Sequence, residues 1–190
     1  MSTPSRSPSL LAYVFWHWPL ASTAAQDYEH ELVSFHASLA SQPPTGFLGS
    51  AAFGLDQASW LPSSQDGYED WYLVRDWTAV GELNHDAVAA VHAQRHDRVA
   101  HQAQDGAGGL YALRGGDEQV GAAATWFAKP ADWSYAELDH ALEPQLTAGH
   151  TFWQRQMVLG PAPEFCLRAS TTPTLPAPLS GQQISYRTLS

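Results

Sequence analysis

Three groups of side chains in this sequence have types and spacings that could support chemistry. The first is His17 in "YVFWHWP", residues 13 to 19. In an extended chain it points to the opposite sheet face from Trp16 and Trp18, and a histidine so placed can act as a general base near neutral pH. The second is Arg75 in "WYLVRDW", residues 71 to 77. Alternation over that run puts Trp71, Leu73, Arg75 and Trp77 on one face and Tyr72, Val74 and Asp76 on the other. A guanidinium among tryptophans is costly to desolvate without an anion beside it. The third is a stripe of His85, His92 and His96, which fall within about 40° of one another on a helix. His92 and His96 have the i, i+4 spacing that can hold Zn or Fe, or offer an axial haem ligand. No Glu lies between them in the HExxH manner, and no carboxylate lies in the stripe.

Each group has two readings at this stage. His17 is a base or a hydrogen-bonded structural histidine, and the arginine either pairs with a carboxylate of the chain or receives a small acidic or carbonyl ligand. The tryptophans are core or ligand wall. The functional reading gathers Trp16, Trp18, Trp71 and Trp77 into an aromatic cleft with His17, Arg75 and Asp76 as its catalytic candidates. Arg168, in "FCLR" at residues 165 to 168, is a second arginine matched to Arg75. Metal or haem binding through His92 or His96, and a non-enzymatic binding or assembly module, are the alternatives. The glycines of "GAGG", residues 106 to 109, follow a helix rather than open one, the wrong context for a phosphate loop. No nucleophile elbow is present, and no particular cofactor is indicated.

The bulk numbers narrow the partners. A net charge of −10, from nine Lys and Arg against nineteen Asp and Glu, argues against nucleic acid and acidic lipid. The composition is globular, with 44% hydrophobic and 15% charged residues, an aromatic share of 12% and eight Trp. Cys166 is the single cysteine, so the chain forms no internal disulfide and fits a reducing cytoplasm. Arg6 precedes an apolar run from Leu10 to Trp16, but that run is aromatic and alternating and reads as a strand rather than a signal peptide. No stretch approaches the roughly 20 apolar residues of a membrane helix.

The elements that must position these residues follow from periodicity. Residues 1–9 are Ser- and Pro-rich and expected to be a mobile lead-in. A strand over 10–18 stops at Pro19, and a helix over about 25–41, capped by Thr23 or Asp27, carries Tyr28, Leu32, Phe35 and Leu39 on one face. Strands at 46–55 and 71–77, a helix from Asn84 or Asp86 to about 104 and a short strand "LYAL" complete a first half over 10–115. Strand, helix, strand, strand, helix, strand is the split βαβ order of a ferredoxin-like unit.

A second, abbreviated half over 120–170 repeats the order: a strand at 122–128, a helix from Ser134 to about 148, a strand at 151–159 and "EFCLR". Lys129-Pro130, Tyr135, Leu146 and "FCLR" match Trp18-Pro19, Tyr28, Leu39 and "YLVR". A Pro- and Ser-rich tail over 171–190 ends in "ISYRTL", a candidate edge strand. Tandem ferredoxin-like units with an aromatic first strand resemble the dimeric α+β barrel superfamily, which includes small monooxygenases, muconolactone isomerases, stress-response barrels and haem-binding chlorite dismutases. The resemblance implies an α+β fold with antiparallel sheets and a small-molecule ligand, on a cofactor-independent oxygenase or isomerase. It leaves open whether the barrel closes within the chain or across a homodimer.

Overall fold

The structure is a computed structural model and describes residues 10–55, 57–62, 67–156 and 160–190. The lead-in expected at 1–9 and the last three residues of the strand expected at 151–159 lie outside them. The elements run β1 (Leu11–Pro19), α1 (Ala25–Ser41), β2 (Phe47–Leu55), β3 (Gly67–Val74), α2 (Trp77–Asp86), α3 (Ala90–Gln102), β4 (Ala103–Gly115), β5 (Ala123–Phe127), α4 (Tyr135–Thr147), β6 (Thr151–Gln156), β7 (Phe165–Ala169), β8 (Gly181–Ser185) and β9 (Arg187–Thr188).

All strand pairings are antiparallel, in the order β8-β5-β7-β6-β4-β1-β3-β2-β9. Within it β4-β1-β3-β2 and β8-β5-β7-β6 are the same arrangement, fourth strand, first, third, second, which is the ferredoxin-like order repeated. The ends of the sheet, β8 and β9, are consecutive in the chain with only Tyr186 between them. One C-terminal strand therefore zips β5 to β2, and the sheet closes on itself within a single chain. That closure removes the open edges on which strands of other chains pair.

Alternation then sorts side chains into an inside and an outside. Trp16, Trp71, Tyr111, Trp126 and Trp153 fill the barrel, with Trp16 and Trp126 edge to face at 5.5 Å between ring centroids. Outside, α1 buries Tyr28, Leu32, Phe35 and Leu39, the face its 3.6-residue period prescribes. Its N-cap is Ala24, not Thr23 or Asp27, and makes no side-chain cap bond. By contrast α4 carries a full capping box, with the Ser134 hydroxyl accepting from the Glu137 N–H and the Glu137 carboxylate accepting from Ser134.

Three local readings of the sequence are corrected. The strand expected at 71–77 starts earlier and stops at Val74, because the Asp76 carboxylate accepts from the Ala79 N–H at 2.9 Å and caps α2. Residues 75–77 therefore turn away from the sheet. The long helix from Asn84 or Asp86 is two helices, interrupted where Ala89 takes an extended conformation that breaks the i→i−4 ladder. And Gly106, Gly108 and Gly109 are strand residues of β4 rather than a helix terminus.

Candidate functional site

The barrel interior is not a cleft. Glu69, on the inward face of β3 beside Trp71, meets Arg168 of β7 at 2.5 Å, and both side chains are fully buried. The Glu69 Oε1 also accepts from the Trp71 indole at 2.6 Å, while Oε2 accepts from the Trp16 indole at 2.7 Å and the Tyr186 hydroxyl at 2.8 Å. Arg168 donates from Nε and Nη2 to the Gly121 carbonyl and lies against the rings of Phe53, Trp71 and Tyr186. Each nitrogen and oxygen of the ion pair has a partner in the chain, so Glu69, Arg168, Trp16 and Trp71 form a satisfied core.

The cavity lies on the other side of the sheet, under the helices. It has a volume of about 580 Å³ and, open at one side, lies between β1, β3 and β4 and helices α1–α3. Its floor is built by the outward-facing alternate residues of two neighbouring strands: Tyr13, Phe15 and His17 from β1, Asp70 and Tyr72 from β3. On β4 the matching positions opposite Phe15 and His17 are Gly108 and Gly106. A Cβ at Gly108 would sit 2.6 Å from the Tyr13 hydroxyl, and one at Gly106 would strike the Phe15 ring. These glycines let the two rings, stacked at 6.1 Å, lie across β4. The walls are apolar, with Leu32, Phe35, Val80, Leu83 and Val99, and exposed Asn84, Val88, Gln104 and Asp105 lie on the rim.

At the floor a hydrogen-bonded chain runs Tyr28, His17, Asp70. The Tyr28 hydroxyl is 2.6 Å from His17 Nδ1, and His17 Nε2 is 3.1 Å from Asp70 Oδ2. Tyr72 donates to the same carboxylate oxygen at 2.8 Å, and His36 Nε2 stands 3.4 Å from it while its Nδ1 meets the Ser50 hydroxyl. Burial opposes the ionisation of Asp70, but the imidazoles of His17 and His36 outweigh it and hold the carboxyl well below the ordinary carboxylate range. Burial, then the Asp70 charge, pushes the phenols of Tyr13, Tyr28 and Tyr72 above their usual value, so all three are neutral hydrogen-bond donors at physiological pH.

The second half carries other residues at the matching positions. Trp16 pairs with Glu69 and Trp126 with Cys166. With those two tryptophans matched, His17 corresponds to Phe127, Asp70 to Leu167 and Tyr72 to Ala169. There Phe127, Phe152, Phe165 and Leu167 pack against α4 and against Leu175 and Leu179. The same register pairs Arg168 with Trp71 as counterparts, not with Arg75.

No family model matches the sequence, and no curated protein does. Solved structures do. A monooxygenase candidate of Fusobacterium nucleatum superposes with a TM-score of 0.64 at 10% identity, over 97% of this chain and 94% of that one. One from Lactobacillus acidophilus gives 0.53 at 13% identity over 94% and 76%. An anthrone oxidase-like protein gives 0.53 at 9% identity over 95% and 94%. The likeness shows the fold, a dimeric-α+β-barrel-like architecture of tandem ferredoxin-like units.

Of the residues singled out from sequence, the structure brings only His17 to the cavity floor. Trp16, Trp71 and Arg168 are in the barrel core, and Trp18 is half-buried. Trp77 is 53% exposed on α2 and Arg75 lies at the surface beside Asp76, their side chains 3.2 Å apart. The reasons are those of the early strand stop: Arg75 and Trp77 are not strand residues, and Asp76 is a helix cap. His92 is buried with Nδ1 at 2.7 Å from the Ser38 hydroxyl and Nε2 at 3.0 Å from the Gln42 carbonyl, which leaves it no free nitrogen. His85 is exposed, and His96 lines the cavity edge-on to Phe35. Among the described residues no group of three or more His, Cys, Asp or Glu is arranged to hold a metal, and no helix is long and apolar enough to cross a membrane.

Asp70, Tyr28, Tyr72 and Tyr13 were missed from sequence as site residues. Alternation carries the signal: counting back in twos from Tyr72 places Asp70 on the face that His17 shares.

Proposed function

We propose that the cavity under α1–α3 is the active site of a cofactor-independent oxygenase acting on a flat aromatic molecule with an acidic C–H. The observation that carries this is the Tyr28–His17–Asp70 chain at the floor of an apolar cavity. The cavity is large enough for a fused-ring compound, and its walls are the aromatic and aliphatic surfaces such a compound packs on. The likeness to monooxygenase candidates and to an anthrone oxidase-like protein supports the same reading.

His17 is the proton acceptor in this scheme. Both its nitrogens are engaged, so a proton leaving the ligand passes through the Tyr28 hydroxyl, which releases its own to His17 Nδ1. Asp70 stabilises the imidazolium that forms. The deprotonated ligand, electron-rich at carbon, forms a C–O bond with dioxygen; the resulting hydroperoxide loses water and leaves a carbonyl. In sum a methylene and O2 give a ketone and water, with electrons balanced between substrate and oxygen. Reprotonation at another carbon instead of oxygen capture would make the same site an isomerase. The lone buried cysteine suits a cytoplasmic setting.

Oxygen uptake with an anthrone, in buffer treated with chelator and free of flavin, tests this. Wild type should consume one O2 per anthrone, and His17→Ala should lower the rate by roughly 10²-fold or more, the usual weight of a general base. Unchanged uptake in His17→Ala would overturn the assignment. Deuterium exchange into the ligand without oxygen uptake would turn it to the isomerase.

A further inference from the structure

We infer that this cavity selects uncharged or cationic ligands whose hydrogen-bond donor is received by Asp70 Oδ1, and that it rejects anions. The inference rests on the reading of the cavity as a ligand site and adds the polarity of what enters. Asp70 is 1% exposed and lines the cavity. Its Oδ2 is served by Tyr72, His17 and His36. Its Oδ1, equally buried, accepts from no protein group among the described residues. A buried carboxylate oxygen without a donor is costly, and the cost falls away when something in the cavity donates to it.

The surroundings set the sign. No Lys or Arg is among the lining residues, whereas Asp105 adds a second carboxylate at the rim. The chain as a whole carries −10, so the field at the mouth repels anions before they enter. Inside, Tyr13, Phe15, Tyr28 and Tyr72 surround the carboxylate with aromatic rings, whose faces attract cations and tolerate neutral π-systems. An anionic ligand would meet one carboxylate at the rim and another at the floor, with no Lys or Arg in the lining to offset either. This reverses the expectation of an acidic ligand drawn from Arg75: that arginine lies at the surface beside Asp76, the buried arginine, Arg168, has Glu69, and the cavity holds a carboxylate instead.

The donor is either a hydroxyl or an ammonium group, and matched probes separate them. Binding of 2-naphthol, 2-naphthylmethylammonium, 2-naphthoate and unsubstituted naphthalene to the full chain is measured at pH 7.5 by calorimetry. The naphthol or the amine should bind at least tenfold tighter than both the carboxylate and the bare hydrocarbon. Whichever of the two leads names the donor. In Asp70→Asn that preference should shrink at least tenfold, with naphthoate the probe that gains. The wild-type ranking stands as the test if Asp70→Asn does not fold. Naphthoate binding as tightly as naphthol in wild type overturns the inference while leaving the cavity a ligand site, and an unchanged ranking in folded Asp70→Asn does the same. Binding of none of the four overturns both readings.

Discussion

The Glu69 carboxylate and the Arg168 guanidinium meet 2.5 Å apart at the centre of the barrel, one supplied by each ferredoxin-like half. The Tyr186 hydroxyl, from the strand that closes the barrel, reaches the same carboxylate. Three segments that are far apart in sequence are thus joined at one point, and the register of the closure is fixed by groups that cannot be left unpaired.

Removing either partner should therefore be severe. Glu69→Gln and Arg168→Met are each expected to cost about 3–5 kcal/mol, since each strands a buried polar group. The double substitution should cost much less than the sum. Urea denaturation of the four proteins in a mutant cycle checks this, and additive losses would show that the pair is not coupled.

The fold was legible because it depends on periodicity. The face of α1, the aromatic alternation of β1 and the repetition of element order are local patterns, and all appear as read. The site was legible only in part. His17 does face away from Trp16, but the acid grouped with it from sequence is Asp76, a helix cap, rather than Asp70. "YED" before Trp71 reads as a polar connection, because buried acids are rare unless paired. Their partners lie 53 residues away for Glu69 with Trp16 and for Asp70 with His17, and 99 away for Glu69 with Arg168. Nothing in the local sequence announces such distant pairings. The desolvation argument made for Arg75 was sound physics applied to the wrong arginine.

Arg75→Met should accordingly do little. Its side chain is 60% exposed and its ion pair with Asp76 is solvated, so the change is expected to stay within about 0.5 kcal/mol. Asp76→Ala should cost about 1 kcal/mol, through loss of the cap on α2. Thermal melts of both variants decide the order, and a larger loss in Arg75→Met would reverse this account.

The glycines of β4 predict a separation of binding from stability. In Gly108→Ala the new methyl occupies the space of the Tyr13 hydroxyl and pushes that ring into the cavity. Affinity for the best naphthyl probe should fall at least tenfold, while the barrel core on the opposite face of the sheet keeps its melting behaviour within a few degrees. Unaltered affinity would place the ligand elsewhere than over β4.

The acid limb of stability should belong in part to Asp70. Its folded-state pKa is depressed, the two imidazoles outweighing the burial that opposes it. A group of this kind contributes stability that is fully present above its unfolded value, about 4, and is lost as pH falls from there toward the folded value, because the unfolded chain takes up the proton first. Asp70→Asn has no such proton to bind. The stability of wild type relative to Asp70→Asn should therefore decline below about pH 4. Denaturation of both proteins at pH 5, 4 and 3 measures that difference. A gap that holds constant would mean that folding does not depress the Asp70 pKa, and one that widens toward pH 3 that Asp70 is harder to ionise in the folded protein, so that the proton relay through His17 would lose the charge that orients it.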